Sequence, residues 1–310
     1  MIWANLLHLS TNMWRDRVRP DDSPESLHAL WYHDRLQLEE PFWNELLARM
    51  VEAGINMVVL DVGDAVKYES HPEIAVKGAW SKAKLRRELI KMRKLGLEPI
   101  PKLNFSTCHD LWMGPYSRMV STPIYYQVCK DVIAEVIDLF DHPRFFHLGL
   151  DEETAQHQHA FQYVVVRQFD LWWHDALFVI NAVARAKVRP WVWSDRIWHH
   201  KDDFLHQMPS SVLQSNWYYD MSFDTKRPYV QAFCELDAHG YNQIPTGSNW
   251  ADSGNFEKLV TFCTKHIAPQ HLLGFMQTAW KPITEEFRDV QLDAIEKVAR
   301  ARTAIVRKKR

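Results

Sequence analysis

The run Phe145-Phe146-His147-Leu148-Gly149-Leu150-Asp151-Glu152-Glu153 is an apolar stretch that ends abruptly in acids. Apolar residues without alternation describe a strand buried on both faces, as in a parallel sheet. Carboxylates at the C-terminal tip of such a strand open onto the face where α/β enzymes hold their chemistry. Two adjacent acids can divide the work there, Glu152 carrying a proton and Asp151 staying ionised, because neighbouring carboxylates repel and their surroundings drive their pKa values apart. That division suits cleavage of a glycosidic bond, in which one group protonates the leaving oxygen and another stabilises developing positive charge. Successive residues of a strand point to opposite faces, so the strand must end or kink at Asp151 for both acids to enter one pocket. Acids after a strand also cap helices, and the pair gains its meaning from what surrounds it.

Polar residues follow the other apolar runs too. His8, Ser10 and Asn12 follow the first, Asp61 and Asp64 the second, Asn104 and His109 the third. Later runs end in Trp193 and Asp195, in Asn216, Trp217, Tyr218 and Asp220, in Asn249, Trp250 and Asp252, and in Trp280 with Glu285 beyond it. The chain carries 14 Trp. Indoles beside amides and acids describe a site that stacks flat apolar faces and hydrogen-bonds their rims; sugars have such faces.

The elements that must position these residues alternate from end to end. Strands are expected at Ile2–Ser10, Asn56–Val62, Leu97–Asn104, the acid-tipped run, Pro190–Asp195, Ser211–Trp217, Gln243–Ser248 and Leu272–Trp280. Helices are expected at Pro41–Ala53, Ser81–Leu95 with Ser81 as N-cap, Ser121–Phe140, Ala160–Lys187, around Asp224–His239 and Gly254–Ile267, and at Glu286–Val306. A weak helical signal covers Asp202–Gln207, and a polar loop is expected around Pro20–Pro24. Eight strands alternating with helices over 310 residues predict an α/β fold, a single-domain (β/α)8 TIM barrel. A barrel would bring every one of the strand ends above to one face. The rival is an open doubly wound sheet, but no GxGxxG or GxxxxGK[ST] follows any strand, which weakens a nucleotide-binding version.

Composition narrows the partners. Charged residues are 25% and the net charge is −2, so no global field points to nucleic acid or a membrane surface. The one basic run, Arg307-Lys308-Lys309-Arg310, reads as a frayed tail. No apolar run is long enough to span a bilayer. The four cysteines, Cys108, Cys129, Cys234 and Cys263, form no CxxC. With no leader pattern at Met1-Ile2-Trp3-Ala4-Asn5, a reduced, cytoplasmic protein without metal or cofactor is expected.

His147-Leu148-Gly149-Leu150-Asp151-Glu152 resembles the H-x-G-x-D-E signature of glycoside hydrolase family 20, the β-N-acetylhexosaminidases. Leu97–Asn104 followed by His109 is similar to that family's third-strand segment, and Trp193 with Asp195, Trp217 and Trp280 resemble the indoles that wall its sugar pocket. The resemblance covers most of the chain as one catalytic barrel and implies an exo-acting, retaining, substrate-assisted reaction, an exception to the two-carboxylate scheme. It implies that the substrate's N-acetyl oxygen attacks the anomeric carbon, that Glu152 is the general acid, and that Asp151 orients the acetamido group. The chain departs from the family in three places. His8-Leu9-Ser10-Thr11-Asn12 stands where the family has an Arg, with Arg15 and Arg17 following; Asn104 stands for an acid; and Ser248-Asn249-Trp250-Ala251-Asp252 stands where a Tyr is usual, with Tyr218 or Tyr219 in the neighbouring loop as substitutes.

Three other readings stand beside this one. An ordinary carboxylate pair would use Asp151 or Glu152 with Asp195 or Glu285. A metal-dependent hydrolase would gather His8, His109, His147 and Asp195, although neither HxH on the first strand nor HExxH is present. A sugar-binding barrel without turnover would keep the indoles alone.

Overall fold

Eight parallel strands form the barrel in the computed structural model, which describes residues 1–16, 31–159, 161–252 and 254–308. They are β1 (Ile2–His8), β2 (Met57–Asp61), β3 (Glu98–Lys102), β4 (Phe145–His147), β5 (Arg189–Trp193), β6 (Leu213–Ser215), β7 (Thr246–Ser248) and β8 (Gly274–Thr278). Their spatial order is β6-β5-β4-β3-β2-β1-β8-β7, all parallel. Single bridges at Gln214–Gln243 and Trp217–Thr246 join β6 to β7. Outside the barrel lie α1 (Glu40–Glu52), α2 (Lys82–Lys94), α3 (Pro123–Leu139), α4 (Phe169–Arg185), α5 (Lys201–Gln207), α6 (Pro228–Ala238), α7 (Asn255–His266) and α8 (Arg288–Lys308). The expected (β/α)8 barrel is the fold.

Local chemistry explains the ends. Pro occupies the first turn of α1, α3 and α6, where its missing N–H is no loss. Ser81 caps α2 by accepting from the Lys84 N–H at 3.2 Å. Leu85, Leu89 and Met92 on α2, and Val128, Val132 and Val136 on α3, recur at helical spacing and are buried against the strands. Inside the barrel, Ala4, Leu6, Met57, Val59, Ile100, Phe145 and Trp191 form a second, smaller apolar core.

Above that core the register places polar residues in one row. His8 pairs with Asp61, Asp61 with Lys102, and Lys102 with His147 around the barrel wall. Lys102 is fully buried and donates to Asp61, whose Oδ2 also lies 3.5 Å from His8 Nδ1. A buried ammonium is tolerated only when paired in this way. His147 packs between Trp191 and Trp193, and burial pushes its pKa well down, so it stays neutral.

Two expectations need correction. The helix expected from residue 160 begins at Phe169, because Arg167 is held outside it by Glu153 and cannot join a regular turn. The closing helix runs on through Lys308, so half of the basic run is helical in its backbone. Lys309 and Arg310, the polar loop around Pro20–Pro24, and Arg17 lie outside the described residues.

Candidate active site

The site is built where β4 stops. After His147 the backbone turns through the left-handed region at Gly149 (φ 67°), Leu150 (φ 74°) and again Glu152 (φ 56°). Non-glycine residues pay about 1–3 kcal/mol for such a conformation, and it concentrates at functional sites. The kink does what a regular strand cannot: it lets Asp151 and Glu152 face the same space. Asn104 sets the turn. Its Oδ1 accepts from the Ser106 N–H at 3.0 Å and the Leu150 N–H at 3.4 Å, and its Nδ2 donates to Asp151 Oδ1 at 2.8 Å. Trp112 in turn donates to the Asn104 carbonyl at 2.7 Å. Asn104 thus acts as donor to the acid at the tip of β4.

His109 joins the two acids. Its Nε2 lies 3.3 Å from Asp151 Oδ2 and 3.3 Å from Glu152 Oε2. Burial opposes charge on this ring, but the carboxylates of Asp151 and Glu152 outweigh it and push its pKa up to about 10. Burial likewise opposes charge on Asp151, yet His109, Lys102 and the Asn104 amide hold its carboxyl well below the usual range. Asp151 is therefore an anion across all ordinary pH. Glu152 keeps a quarter of its side chain accessible, while Asp151 is buried.

Asp195 stands behind the pair. Its Oδ2 accepts from the Glu152 backbone N–H at 2.9 Å, and its Oδ1 faces Trp217 Nε1 at 3.4 Å. Burial and the nearby Asp151 charge push its pKa up to about 8, so at neutrality Asp195 is mostly uncharged. Glu153, the third acid of the run, is committed elsewhere: Arg167 grips it from Nε at 2.8 Å and Nη2 at 2.6 Å, and Arg167 Nη1 reaches Asp175 at 3.2 Å.

Two adjoining cavities open above the acids. The inner one, about 310 Å³, is lined by Trp14, His109, Asp151, Glu152, His157, Trp217, Tyr219, Trp250 and Trp280. The outer one, about 600 Å³, shares Glu152, His157, Trp217, Tyr219 and Trp250, and adds Asp195, Arg196, Trp198, Tyr218 and Asp252 among others. Their sizes and mixed apolar and polar linings are those of small-molecule sites. Trp280, itself left-handed at φ 52°, donates from Nε1 to Tyr219 Oη at 3.1 Å. Tyr219 stacks on Trp217 at 5.0 Å, and Trp14 meets Trp280 edge-on at 6.0 Å.

Most of the expected residues come together, and some do not. Asp151, Glu152, His109, Asp195, Trp217, Trp250 and Trp280 line the cavities, and Asn104 stands behind Asp151 as its donor. Trp193 is buried beneath them, packed on His147 at 4.4 Å and on Trp280 at 6.1 Å, a floor rather than a wall. Tyr218 touches only the outer cavity, and its hydroxyl turns to Ser222 O and Arg227; Tyr219 is the tyrosine of the inner pocket. Asp252 lines the outer rim but spends one oxygen on the Gly254 N–H. Glu285 is not brought to the site: it pairs with Arg288 on the next turn, because the loop after Trp280 carries it outward. Trp14, His157, Arg196 and Trp198 were not legible as site residues, since the first two lie in loops and the other two on the short 3-10 turn after β5, whose paths are fixed only by the tertiary fold. Asp64, from the second strand's loop, is occupied by Ser10 and Asn12 at 2.8 and 2.6 Å.

His109, Asp151 and Glu152 each offer an atom within 4.8 Å of the others, a spacing able to hold a divalent cation. A ligating imidazole must be neutral, so a cation held there would displace the proton that His109 carries between these acids. That proton places a positive charge beside the Asp151 carboxylate.

No known sequence family and no curated protein sequence matches the chain. Solved structures do match in fold. Dispersin B aligns with a TM-score of 0.59 at 15% identity, covering 85% of this chain and 95% of that one. A β-N-acetylhexosaminidase from Bacteroides fragilis aligns at 0.62 with 10% identity over 94% of this chain and 65% of that one. An N-acetyl-β-hexosaminidase from Streptomyces plicatus aligns at 0.62 with 12% identity over 96% and 63%. The chain thus spans about two thirds of the length of the latter two, and its barrel is similar to theirs.

Proposed function

We propose that this chain is a glycoside hydrolase, an exo-acting, retaining enzyme of β-N-acetylhexosaminidase type that uses the substrate's own acetamido group. One observation carries the reading: the β4 kink puts an ionised Asp151 and a partly accessible Glu152 side by side at the base of an indole-lined pocket. The barrel's similarity to solved β-N-acetylhexosaminidases supports it.

In this reading the terminal sugar sits in the inner pocket against Trp280 and Trp217. Its acetamido oxygen attacks the anomeric carbon while Glu152 gives its proton to the leaving oxygen. Asp151, kept anionic by His109, Lys102 and Asn104, accepts from the acetamido N–H and stabilises the positive charge that grows there. Tyr219, anchored by Trp280, stands in the place of the family's tyrosine and holds the acetamido oxygen in line. Water then attacks the anomeric carbon from the vacated side, the Glu152 carboxylate takes its proton, and the bond from that carbon to the acetamido oxygen breaks, restoring the acetamido group.

The test is release of nitrophenol from aryl β-glycosides by wild type and Glu152→Gln. Turnover confined to N-acetylglucosaminide and N-acetylgalactosaminide, and lost in the variant, is expected. Equal turnover of the plain glucoside or galactoside would mean a protein nucleophile and would defeat the substrate-assisted mechanism.

A further inference from the structure

The outer cavity contains a cation that the proposed chemistry does not use. Arg196 follows Asp195 on the short 3-10 turn after β5 and lines this cavity. Its guanidinium carbon lies over the Trp172 ring, 4.0 Å from the ring centre, with Trp173 at 5.7 Å. Among the described residues no carboxylate or carbonyl accepts from it, and its Nε is buried without a partner. Burial lowers its pKa, which marks the cost of leaving this charge unpaired.

The nearby acids are already spoken for. Glu153 is gripped by Arg167, Asp220 by Arg227 at 2.6 Å, and Asp203 by Trp173 and Gln207. Asp252 accepts from the Gly254 N–H, and Asp195 is mostly neutral. His199 and His200 line the same cavity. Among the described residues Arg196 is therefore a guanidinium of this cavity with no acid hydrogen-bonded to it, and a planar fork of that kind matches a carboxylate or a sulfate.

We infer that the outer cavity binds an acidic saccharide, with Arg196 taking an anionic group of the sugar to which the terminal residue is linked. This rests on the proposed glycosidase reading and names the substrate class of the same site. The shared chemistry is a sugar-borne anion, either a hexuronic carboxylate or an ester sulfate.

Two measurements test it. The first needs no turnover: titration of tryptophan fluorescence with methyl β-glucuronide, methyl β-glucoside 6-sulfate and neutral methyl β-glucoside. At least one anionic glycoside is expected to bind about tenfold tighter than the neutral one. That advantage is expected to vanish in Arg196→Gln and to return in part in Arg196→Lys, which also reports on folding. Which anion wins identifies the source. The second compares hydrolysis of a terminal N-acetylhexosamine β-linked to glucuronate with the same sugar linked to glucose, read as the ratio of the two kcat/KM values in wild type and both variants. Equal binding of anionic and neutral glycosides, or a preference that survives Arg196→Gln, overturns the inference even where N-acetylhexosaminides are hydrolysed. Arg196-dependent binding without hydrolysis upholds it and defeats only the catalytic reading.

Discussion

The backbone N–H of Glu152 donates to the Asp195 carboxyl at 2.9 Å, so the tip of β4 is fastened to the turn after β5 at the residue proposed to move the proton. Asp195 is mostly uncharged at neutrality because burial and the Asp151 anion favour its protonated form. The site thus holds two aspartates in opposite states, Asp151 ionised and Asp195 neutral, on either side of Glu152.

Replacing Glu152 by Gln is expected to lower kcat on an aryl N-acetylhexosaminide by about 10²–10⁴-fold, the range for loss of a positioned general acid. Asp151→Asn is expected to cost about 10²–10³-fold by removing charge stabilisation. Glu152→Gln should keep the wild-type melting profile to within a few degrees, whereas Asp151→Asn, which removes the buried anion paired with His109 and Lys102, should lower it. Steady-state kinetics beside a thermal scan checks the pair.

Asp195→Asn tests the neutral state. A carboxyl whose folded pKa is raised stabilises the protein fully below its ordinary value of 3.8, and that contribution is lost as pH rises through about 8. Asn stays neutral, so this loss should be absent from the variant's stability–pH curve. Asp195→Ala leaves the Glu152 N–H without its acceptor and should cost about 1–3 kcal/mol. Urea unfolding across pH 4 to 9 measures both.

His109→Gln tests the cation between the acids. The raised His109 pKa gives stability that is complete below 6.5 and is lost as pH rises through about 10. Removing the ring should flatten that alkaline loss. It should also raise the Asp151 pKa, so that the acid limb of kcat/KM moves to higher pH. An unmoved acid limb would show that His109 does not hold Asp151 ionised.

Gly149→Ala tests the kink. At φ 67° any side chain is strained, and a Cβ there would collide with Asn104 Oδ1. Asn104 must then give way, and with it the hydrogen bond to Asp151. A loss of about 1–3 kcal/mol in unfolding free energy is expected, together with a fall in kcat. Unchanged activity would separate the turn from the chemistry.

The barrel was legible in the sequence because its signals are local. Ser81 caps a helix by itself, and the apolar period of Val128, Val132 and Val136 declares a buried face wherever the helix packs. The need for a kink at Asp151 was also legible, from the alternation of side chains along a strand. Other features depended on contacts far apart in the chain. The late start of α4 follows from Arg167 meeting Glu153 and Asp175, and the outward path of Glu285 follows from its pairing with Arg288. Tyr218 and Tyr219 are indistinguishable as neighbours in sequence; Arg227 draws one away and Trp280 holds the other in the pocket.

The grip of Arg167 on Glu153 closes a neck. The chain leaves the barrel immediately after Glu152, makes an excursion, and is tied back to its own starting point by a paired guanidinium and carboxylate. What lies beyond that neck reaches back to the acids through His157, whose Nε2 lies 3.5 Å from Glu152 Oε1. Doubling the length of such an excursion costs only about 0.6 kcal/mol in closure entropy. The segment between these two residues is therefore where descendants of this protein can lengthen, shorten or redecorate the rim of the outer cavity, and so change what it accepts, as long as His157 keeps its place beside Glu152.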